Sequence, residues 1–126
     1  MSDNTISLLQ AKLRDFARER DWEQFHTPKN LAMALTVEAA ELQEIFQWRS
    51  DADSANLNPA QRTAAGEELA DVLLYLCRLA DVLNIDLKHA ALNKLALNAE
   101  KYPAALVKGS AAKYTDYSEK DLKGAE

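Results

Sequence analysis

Apolar residues recur at steps of three and four positions in four segments of this chain, and that spacing predicts four α-helices. The predicted helices are residues 5–20, 28–48, 59–83 and 87–102. In two of them a capping residue precedes proline, Thr27-Pro28 and Asn58-Pro59, which is a typical helix start. Pro103 ends the fourth, because proline cannot continue the helical hydrogen-bond pattern. The pattern predicts an all-α fold, a four-helix bundle.

The third predicted helix is apolar on more than one side. Leu69, Leu73 and Leu76 follow one face, whereas Leu74 and Cys77 follow another. A helix of this kind lies either at the centre of a bundle or in a subunit interface.

Two segments lack a sustained apolar face. Residues 49–58 are polar and small, which predicts a loop of about ten residues. Residues 108–126 are charged and small, and we expect an extended or partly disordered C-terminal tail. The chain is then one domain, residues 1–107, followed by that tail.

Composition narrows the class of protein. Hydrophobic residues make up 48% and charged residues 28%, with three glycines and three prolines, a balance typical of a helical protein rather than a turn-rich β-fold. The net charge of −5 argues against a nucleic-acid partner. The single cysteine, Cys77, excludes an intrachain disulfide and a cysteine-based zinc site. The sequence shows no apolar signal-peptide core and no run of about 18 apolar residues, so we expect a cytoplasmic protein without a membrane partner.

Two acidic pairs stand within apolar helical runs, Glu38-x-x-Glu41 and Glu68-x-x-Asp71. Residues three apart share a helix face, so each pair repels itself unless a cation lies nearby. Glu38 falls on the apolar stripe of its helix, where an ionised carboxylate must be protonated, paired or bound to metal. Mg²⁺ is the expected ion, because it takes oxygen ligands and bridges carboxylates to phosphates. The alternative is chance, since 20 acidic residues produce several such pairs on solvated faces.

Other side chains are suited to the remaining parts of a nucleotide. Lys94, Asn98 and Lys101 form one polar row on the fourth helix, which either holds phosphates or is simply solvated. The aromatic residues near the ends of the second helix either stack on a base or belong to the core. These flanking residues are Trp22, Phe25, His26 and Trp48. Glu-x-x-His occurs once in the sequence, from Glu23 to His26, whereas a ferritin-like di-iron site requires the motif on two helices.

Four stretches of the sequence resemble one known family. They are residues 22–26 (WEQFH), 30–48 (NLAMALTVEAAELQEIFQW), 67–76 (EELADVLLYL) and 94–103 (KLALNAEKYP). Through them the chain is similar to the MazG-like all-α nucleoside triphosphate pyrophosphatases, and within these to the dCTP pyrophosphatase branch. The resemblance covers roughly residues 20–117, although residues 49–58 differ in composition from the family pattern.

The resemblance implies an enzyme that cleaves a nucleoside triphosphate between the α and β phosphates, releasing monophosphate and pyrophosphate. The residues that match the family's catalytic Mg²⁺ ligands are Glu38, Glu41, Glu68 and Asp71. Those that match its phosphate-binding row are Lys94, Asn98 and Lys101, and those that match its nucleoside pocket are Trp22, His26, Trp48 and Tyr75. The implied substrate is dCTP or a modified deoxycytidine triphosphate, removed from the nucleotide pool by a homo-oligomer, either a dimer or a tetramer of two dimers.

Two alternatives follow from the same residues. Within the enzyme class, the acidic motifs also suit a dUTP or phosphoribosyl-ATP pyrophosphatase, because only the base pocket separates these activities. Outside it, the chain is a non-catalytic helical bundle that binds a nucleotide or a partner, in which the carboxylates form ion pairs with Lys94 and Lys101. Melting with and without Mg²⁺ and a triphosphate distinguishes the two classes.

Overall fold

The computed structural model describes residues 4–111, and these residues form helices without a β-strand. The α-helices are α1 (Thr5–Glu19), α2 (Pro28–Phe46), α3 (Asp51–Ser54), α4 (Pro59–Val82), α5 (Leu87–Lys101) and α6 (Ala104–Val107). A short 3-10 helix, Glu23–Phe25, lies between α1 and α2. The predicted all-α fold is confirmed, and α1, α2, α4 and α5 end within two residues of the predicted positions.

The prediction of a plain loop over residues 49–58 is wrong, because this segment contains the short helix α3. Ser50 caps it, its Oγ accepting a hydrogen bond from the backbone N–H of Asp53 at 3.1 Å. Asp51 and Asp53 lie in the first turn, where a negative charge interacts favourably with the helix dipole. The local capping signal is therefore strong enough to form one helical turn without an apolar face.

Side-chain caps fix the starts of the two long helices. Thr27 Oγ1 accepts from the N–H of Asn30 at 3.2 Å. At α4, Asn58 Oδ1 accepts from the N–H of Gln61 at 2.8 Å, and Gln61 Oε1 accepts from the N–H of Asn58 at 2.9 Å. This reciprocal pair is a capping box, and both predicted helix starts are confirmed.

The end of α1 returns the chain towards its own helix. Asp21 has a φ of 54°, and the N–H of Trp22 donates to Ala17 O at 2.9 Å, the closing bond of a Schellman motif. Trp22 then lies edge-on to Phe16, with ring centroids 5.8 Å apart and an interplanar angle of 68°. The turn thus places an indole beside α1.

Helix α4 is the central element, because it packs along α2 and also against α1. Ala17, Leu31 and Cys77 are almost completely buried among these helices, and Cys77 is the small buried residue that its apolar neighbours predict. Two polar contacts hold α1 on α4: Gln10 Nε2 donates to Cys77 O at 3.0 Å, and Arg14 Nη1 pairs with Asp81 Oδ1 at 2.7 Å.

The chain divides into two compact units, and the division falls between Leu87 and Lys88. Helices α1 to α4 belong to the first unit, whereas almost all of α5 and the whole of α6 belong to the second. A single domain over residues 1–107 stays a prediction, and most of the predicted tail lies outside the described residues. Over residues 4–111, no helix combines the length and the apolarity needed to cross a membrane.

Candidate functional site

Packing of α2 on α4 brings three glutamates together. Glu38 and Glu41 come from α2 and Glu68 from α4, and each offers one carboxylate oxygen within 4.8 Å of the others. Like charges at this separation repel strongly unless protons or a cation lie between them. The sequence predicted each acidic pair on one helix face, and the fold brings the first pair together with Glu68 of the second. We call these three residues the glutamate cluster.

The glutamate cluster has unsatisfied oxygens. Glu38 Oε2 and Glu68 Oε2 are buried and have no hydrogen-bond partner in the described part of the chain, whereas Glu41 is exposed at the rim. A buried carboxylate oxygen without a donor is costly, and a bound cation would satisfy it. These three carboxylates fit a hard divalent cation, since Mg²⁺ and similar ions take oxygen ligands.

The protonation behaviour of the glutamate cluster follows from its burial. Desolvation first, and then the neighbouring carboxylates Glu41, Glu68 and Asp71, raise the pKa of Glu38 to about 7 from an ordinary value of 4.5. Desolvation also raises the pKa of Glu68. The charge of Asp71 acts in the same direction on both groups, so the fourth predicted carboxylate lies beside the cluster although it is not one of the three converging oxygens.

A cavity of about 390 Å³ opens between α1, the 22–26 segment and α4. Its size is within the range of small-molecule sites. The lining side chains are Leu9, Lys12, Leu13 and Phe16 from α1, Trp22 and His26 from the connection, and Asp71, Leu74, Tyr75 and Arg78 from α4. Asp71 therefore borders this cavity and also acts on the glutamate cluster, which places a mostly apolar cavity next to the carboxylates.

Arg78 is the buried charged residue of this cavity, with 8% of its surface exposed. Its Nε donates to His26 Nδ1 at 3.0 Å and its Nη1 donates to Asp81 Oδ2 at 3.4 Å. Burial, and then the charge of Arg78, lower the pKa of His26 below 6.5. Since Nδ1 accepts a hydrogen bond, the neutral ring of His26 carries its proton on Nε2.

The structure brings some of the sequence-predicted site residues together and leaves others apart. Trp22, His26 and Tyr75 line the cavity. Trp48 lies beyond the end of α2, is 88% exposed and is not a lining residue. The predicted phosphate-binding residues all lie on α5, in the second unit; they are Lys94, Asn98 and Lys101. Their role in binding phosphate stays a prediction.

Several lining residues were not predicted from the sequence. Arg78 comes seven residues after Asp71 and three after Tyr75, so all three share one face of α4. A helical wheel extended past Tyr75 would have identified it. The contribution of α1, including Lys12 and Phe16, had no such signal, because it depends on which helix packs against α4.

The chain was compared with a family model, with known proteins and with a solved structure, and the results agree. A model of the MazG-like family matches residues 33–117. The chain is 51% identical to dCTP pyrophosphatase 1 of Rattus norvegicus over 104 residues, which are 81% of this chain and 61% of the rat protein. It is 48% identical to dCTP pyrophosphatase 1 of Homo sapiens over 104 residues, 81% of this chain and 61% of the human protein. The chain thus spans about three fifths of the length of these relatives.

A solved structure agrees with the sequence comparisons. The chain superposes on a pyrophosphatase of Archaeoglobus fulgidus with a TM-score of 0.75 and 40% sequence identity, covering 82% of this chain and 96% of the archaeal chain. The predicted family resemblance is confirmed, and with it the helical fold. The residues that carry the glutamate cluster lie within the matched region, and this chain belongs to the MazG-like family.

Proposed function

We propose that this protein is a Mg²⁺-dependent nucleoside triphosphate pyrophosphohydrolase that acts on dCTP or a modified deoxycytidine triphosphate and removes it from the nucleotide pool. The observation that carries the proposal is the glutamate cluster, in which two buried carboxylate oxygens have no hydrogen-bond partner among residues 4–111. Beside it lies a cavity of about 390 Å³ that is lined in part by Asp71. The relatives named dCTP pyrophosphatase support the choice of substrate.

In this proposal, Glu38, Glu41, Glu68 and Asp71 are the metal ligands and catalytic carboxylates. A Mg²⁺ ion held by these carboxylates would neutralise phosphate charge and lower the pKa of water in the site. Water adds to phosphorus, the bond between the α and β phosphates breaks, and the products are monophosphate and pyrophosphate. A carboxylate with a free oxygen accepts the proton of the attacking water.

The remaining predicted residues take the two ends of the nucleotide. Trp22, His26 and Tyr75 line the cavity, whose apolar and aromatic walls suit the flat face of a base. Trp48 belongs to the same predicted nucleoside pocket. The phosphate chain is proposed to contact Lys94, Asn98 and Lys101, because two ammonium groups and an amide on one helix face donate to phosphate oxygens.

We also propose that the protein is a homo-oligomer, a dimer or a tetramer of two dimers, working in the cytoplasm. Leu69, Leu73 and Leu76 form a row on α4 and all three are exposed. An exposed row of large apolar side chains is typical of an interaction surface, and a second copy of the chain is the partner that the family resemblance implies.

Hydrolysis of dCTP with Mg²⁺, followed by ³¹P NMR, tests the proposed function. We expect dCMP and pyrophosphate as products. Glu38→Gln and Asp71→Asn should each lower kcat/KM by at least about 100-fold, because each removes a charge from the carboxylate set. Glu44→Gln is the matched control, since Glu44 is exposed on α2 and lies outside the glutamate cluster.

The outcomes distinguish the alternatives. Full activity in both site variants would overturn the assignment of the carboxylates. Binding of triphosphate without turnover by the wild type would instead indicate a non-catalytic bundle. A panel that includes dCTP, dUTP, dTTP and phosphoribosyl-ATP, compared by kcat/KM, tests the choice of substrate, and a preference for dUTP would contradict it.

A further inference from the structure

Arg78 is an unusual residue for the wall of an apolar cavity. It is buried and charged, and a buried cation needs compensating groups. Asp81 supplies the compensating charge, since it accepts from Arg78 Nη1 at 3.4 Å and from Arg14 Nη1 at 2.7 Å. The Asp81 carboxylate thereby ties the guanidinium to α1 as well as to its own helix.

The orientation of the guanidinium is fixed by two contacts. Nε is directed at His26 Nδ1 at 3.0 Å and Nη1 at Asp81. A guanidinium has five N–H groups in one plane and accepts no hydrogen bond. Two of the five are thus accounted for by these protein contacts, and Arg78 is one of the residues that line the cavity. Any guanidinium N–H that meets a bound ligand there can only donate.

Pyrimidine bases differ in what they present to such a donor. The Watson–Crick edge of cytosine has two adjacent acceptors, O2 and N3. Uracil and thymine keep O2 but carry a proton on N3, so that a guanidinium placed against this edge meets a donor. A site that is built to make a hydrogen bond rejects an analogue that lacks the matching group, because its own polar atoms are then left unpaired.

We propose that Arg78 determines base specificity by donating hydrogen bonds to O2 and N3 of a cytosine held in the cavity, with Asp81 as its positioning residue. This inference rests on the proposed function, because it assigns the base that the nucleotide carries. It adds a residue on α4 to the aromatic residues that the sequence predicted for the nucleoside pocket. Aromatic stacking holds any base by its face, whereas Arg78 reads the edge.

The first test changes the substrate and leaves the protein intact. In 3-deaza-dCTP a C–H replaces N3, so one acceptor is removed while the base keeps its size and its amino group. Wild-type kcat/KM should fall by at least about tenfold relative to dCTP, the effect expected for a lost charged hydrogen bond. Equal values for the two substrates would overturn the proposal.

The second test changes the residue. In Arg78→Met the ratio of kcat/KM for dCTP and 3-deaza-dCTP should fall to about one, because the group that reads N3 is gone. Arg18→Met is the matched control, since Arg18 is an exposed arginine on α1 outside the cavity lining, and its ratio should equal that of the wild type. An unchanged ratio in Arg78→Met would contradict the proposal.

Two further measurements separate specificity from a general loss of structure. Deoxyribose 5-triphosphate has no base, so Arg78→Met should lower its kcat/KM less than it lowers the value for dCTP; a loss as large as that for dCTP would mean that Arg78 is only structural. If Arg78→Met does not fold, Arg78→Lys keeps the charge without the planar fork. It should also lower the ratio of kcat/KM for dCTP and 3-deaza-dCTP, because an ammonium group lacks the paired donors that would contact O2 and N3.

Binding distinguishes failure of this inference from failure of the proposed function. Calorimetry with dCMP and 3-deaza-dCMP needs no turnover. Tighter binding of dCMP that depends on Arg78, in a protein that hydrolyses no triphosphate, would leave the inference standing and overturn the proposed function. Hydrolysis of dCTP with no preference over 3-deaza-dCTP would overturn the inference and leave the proposed function standing.

Discussion

Glu38 and Glu68 place two carboxylate oxygens where the described chain supplies no donor. Without a cation, two ionised carboxylates at this position are unfavourable, and a shared proton relieves the repulsion. Burial, and then the neighbouring carboxylates, raise the pKa of Glu38 to about 7. The same feature that destabilises the metal-free site prepares it for a divalent ion. Stability and metal binding are therefore linked at single residues.

This linkage predicts how the metal-free protein responds to pH. An acid with a higher pKa in the folded state binds more protons there than in the unfolded chain. The contribution of Glu38 to the free energy of unfolding is thus complete below pH 4.5 and is lost as pH rises through about 7. In EDTA, the melting temperature should be lower at pH 8 than at pH 5.5, and this difference should be smaller in Glu38→Gln, whose amide cannot ionise.

Scanning calorimetry in EDTA measures the melting temperatures at pH 5.5 and pH 8, with Glu44→Gln as the surface control. Mg²⁺ at pH 8 should raise the melting temperature of the wild type and of the control more than that of Glu38→Gln. If Glu38→Gln showed the same pH dependence as the wild type, the burial of this carboxylate would not be the cause.

At the level of elements, α4 contributes side chains to both parts of the candidate site. Glu68 faces α2 in the glutamate cluster, whereas Tyr75 and Arg78 face the cavity beside α1. Glu68 and Tyr75 are seven residues apart, so they lie on nearly the same side of the helix and two turns apart along its axis. One long helix therefore presents the two parts one after the other. The register of α4 is therefore important for the site, and its start is set by the capping box.

Removing the cap tests the stability of that start. Asn58→Ala deletes the acceptor for the Gln61 N–H and should lower the free energy of unfolding by about 1 kcal/mol. Asn58→Asp keeps an acceptor at the same position and adds a charge that favours a helix N-terminus, so it should be near neutral. Urea denaturation at one fixed protein concentration compares the three proteins. Equal losses in the two variants would show that the cap itself is not the stabilising group.

At the level of the whole molecule, exposed large apolar side chains include sets of leucines on α4 and α5. Leu69, Leu73 and Leu76 form a row on α4. On α5, in the second unit, the exposed leucines are Leu92, Leu95 and Leu97. These surfaces support the proposal that the functional protein is an assembly of identical chains.

Light scattering at micromolar concentration should therefore give a mass of two or four chains. Leu73→Lys should shift the mass towards one chain, because it puts a charge into the apolar row on α4. Leu8→Lys is the control, since Leu8 is exposed to a similar degree on α1 and lies outside that row. A stable and active wild-type monomer would contradict the proposed assembly.

The helices and their starts were predictable from the sequence because their causes are local. Apolar spacing and the Thr27 and Asn58 caps depend on residues within a turn or two of each other. The one-turn helix α3 was missed because its signal is a cap, Ser50, without any apolar periodicity. The pairing of Glu38 with Glu41 was likewise visible, since residues three apart must share a helix face.

The tertiary structure alone decided which faces meet. Glu38 and Glu68 are 30 positions apart, and only the packing of α2 on α4 brings their oxygens within 4.8 Å. His26 and Arg78 are 52 positions apart, and Arg14 and Asp81 are 67 apart. The sequence by itself determined that two acidic pairs would lie on helix faces. Their convergence, the cavity beside them and the buried arginine in its wall arise from contacts between distant residues, which spacing along one helix does not specify.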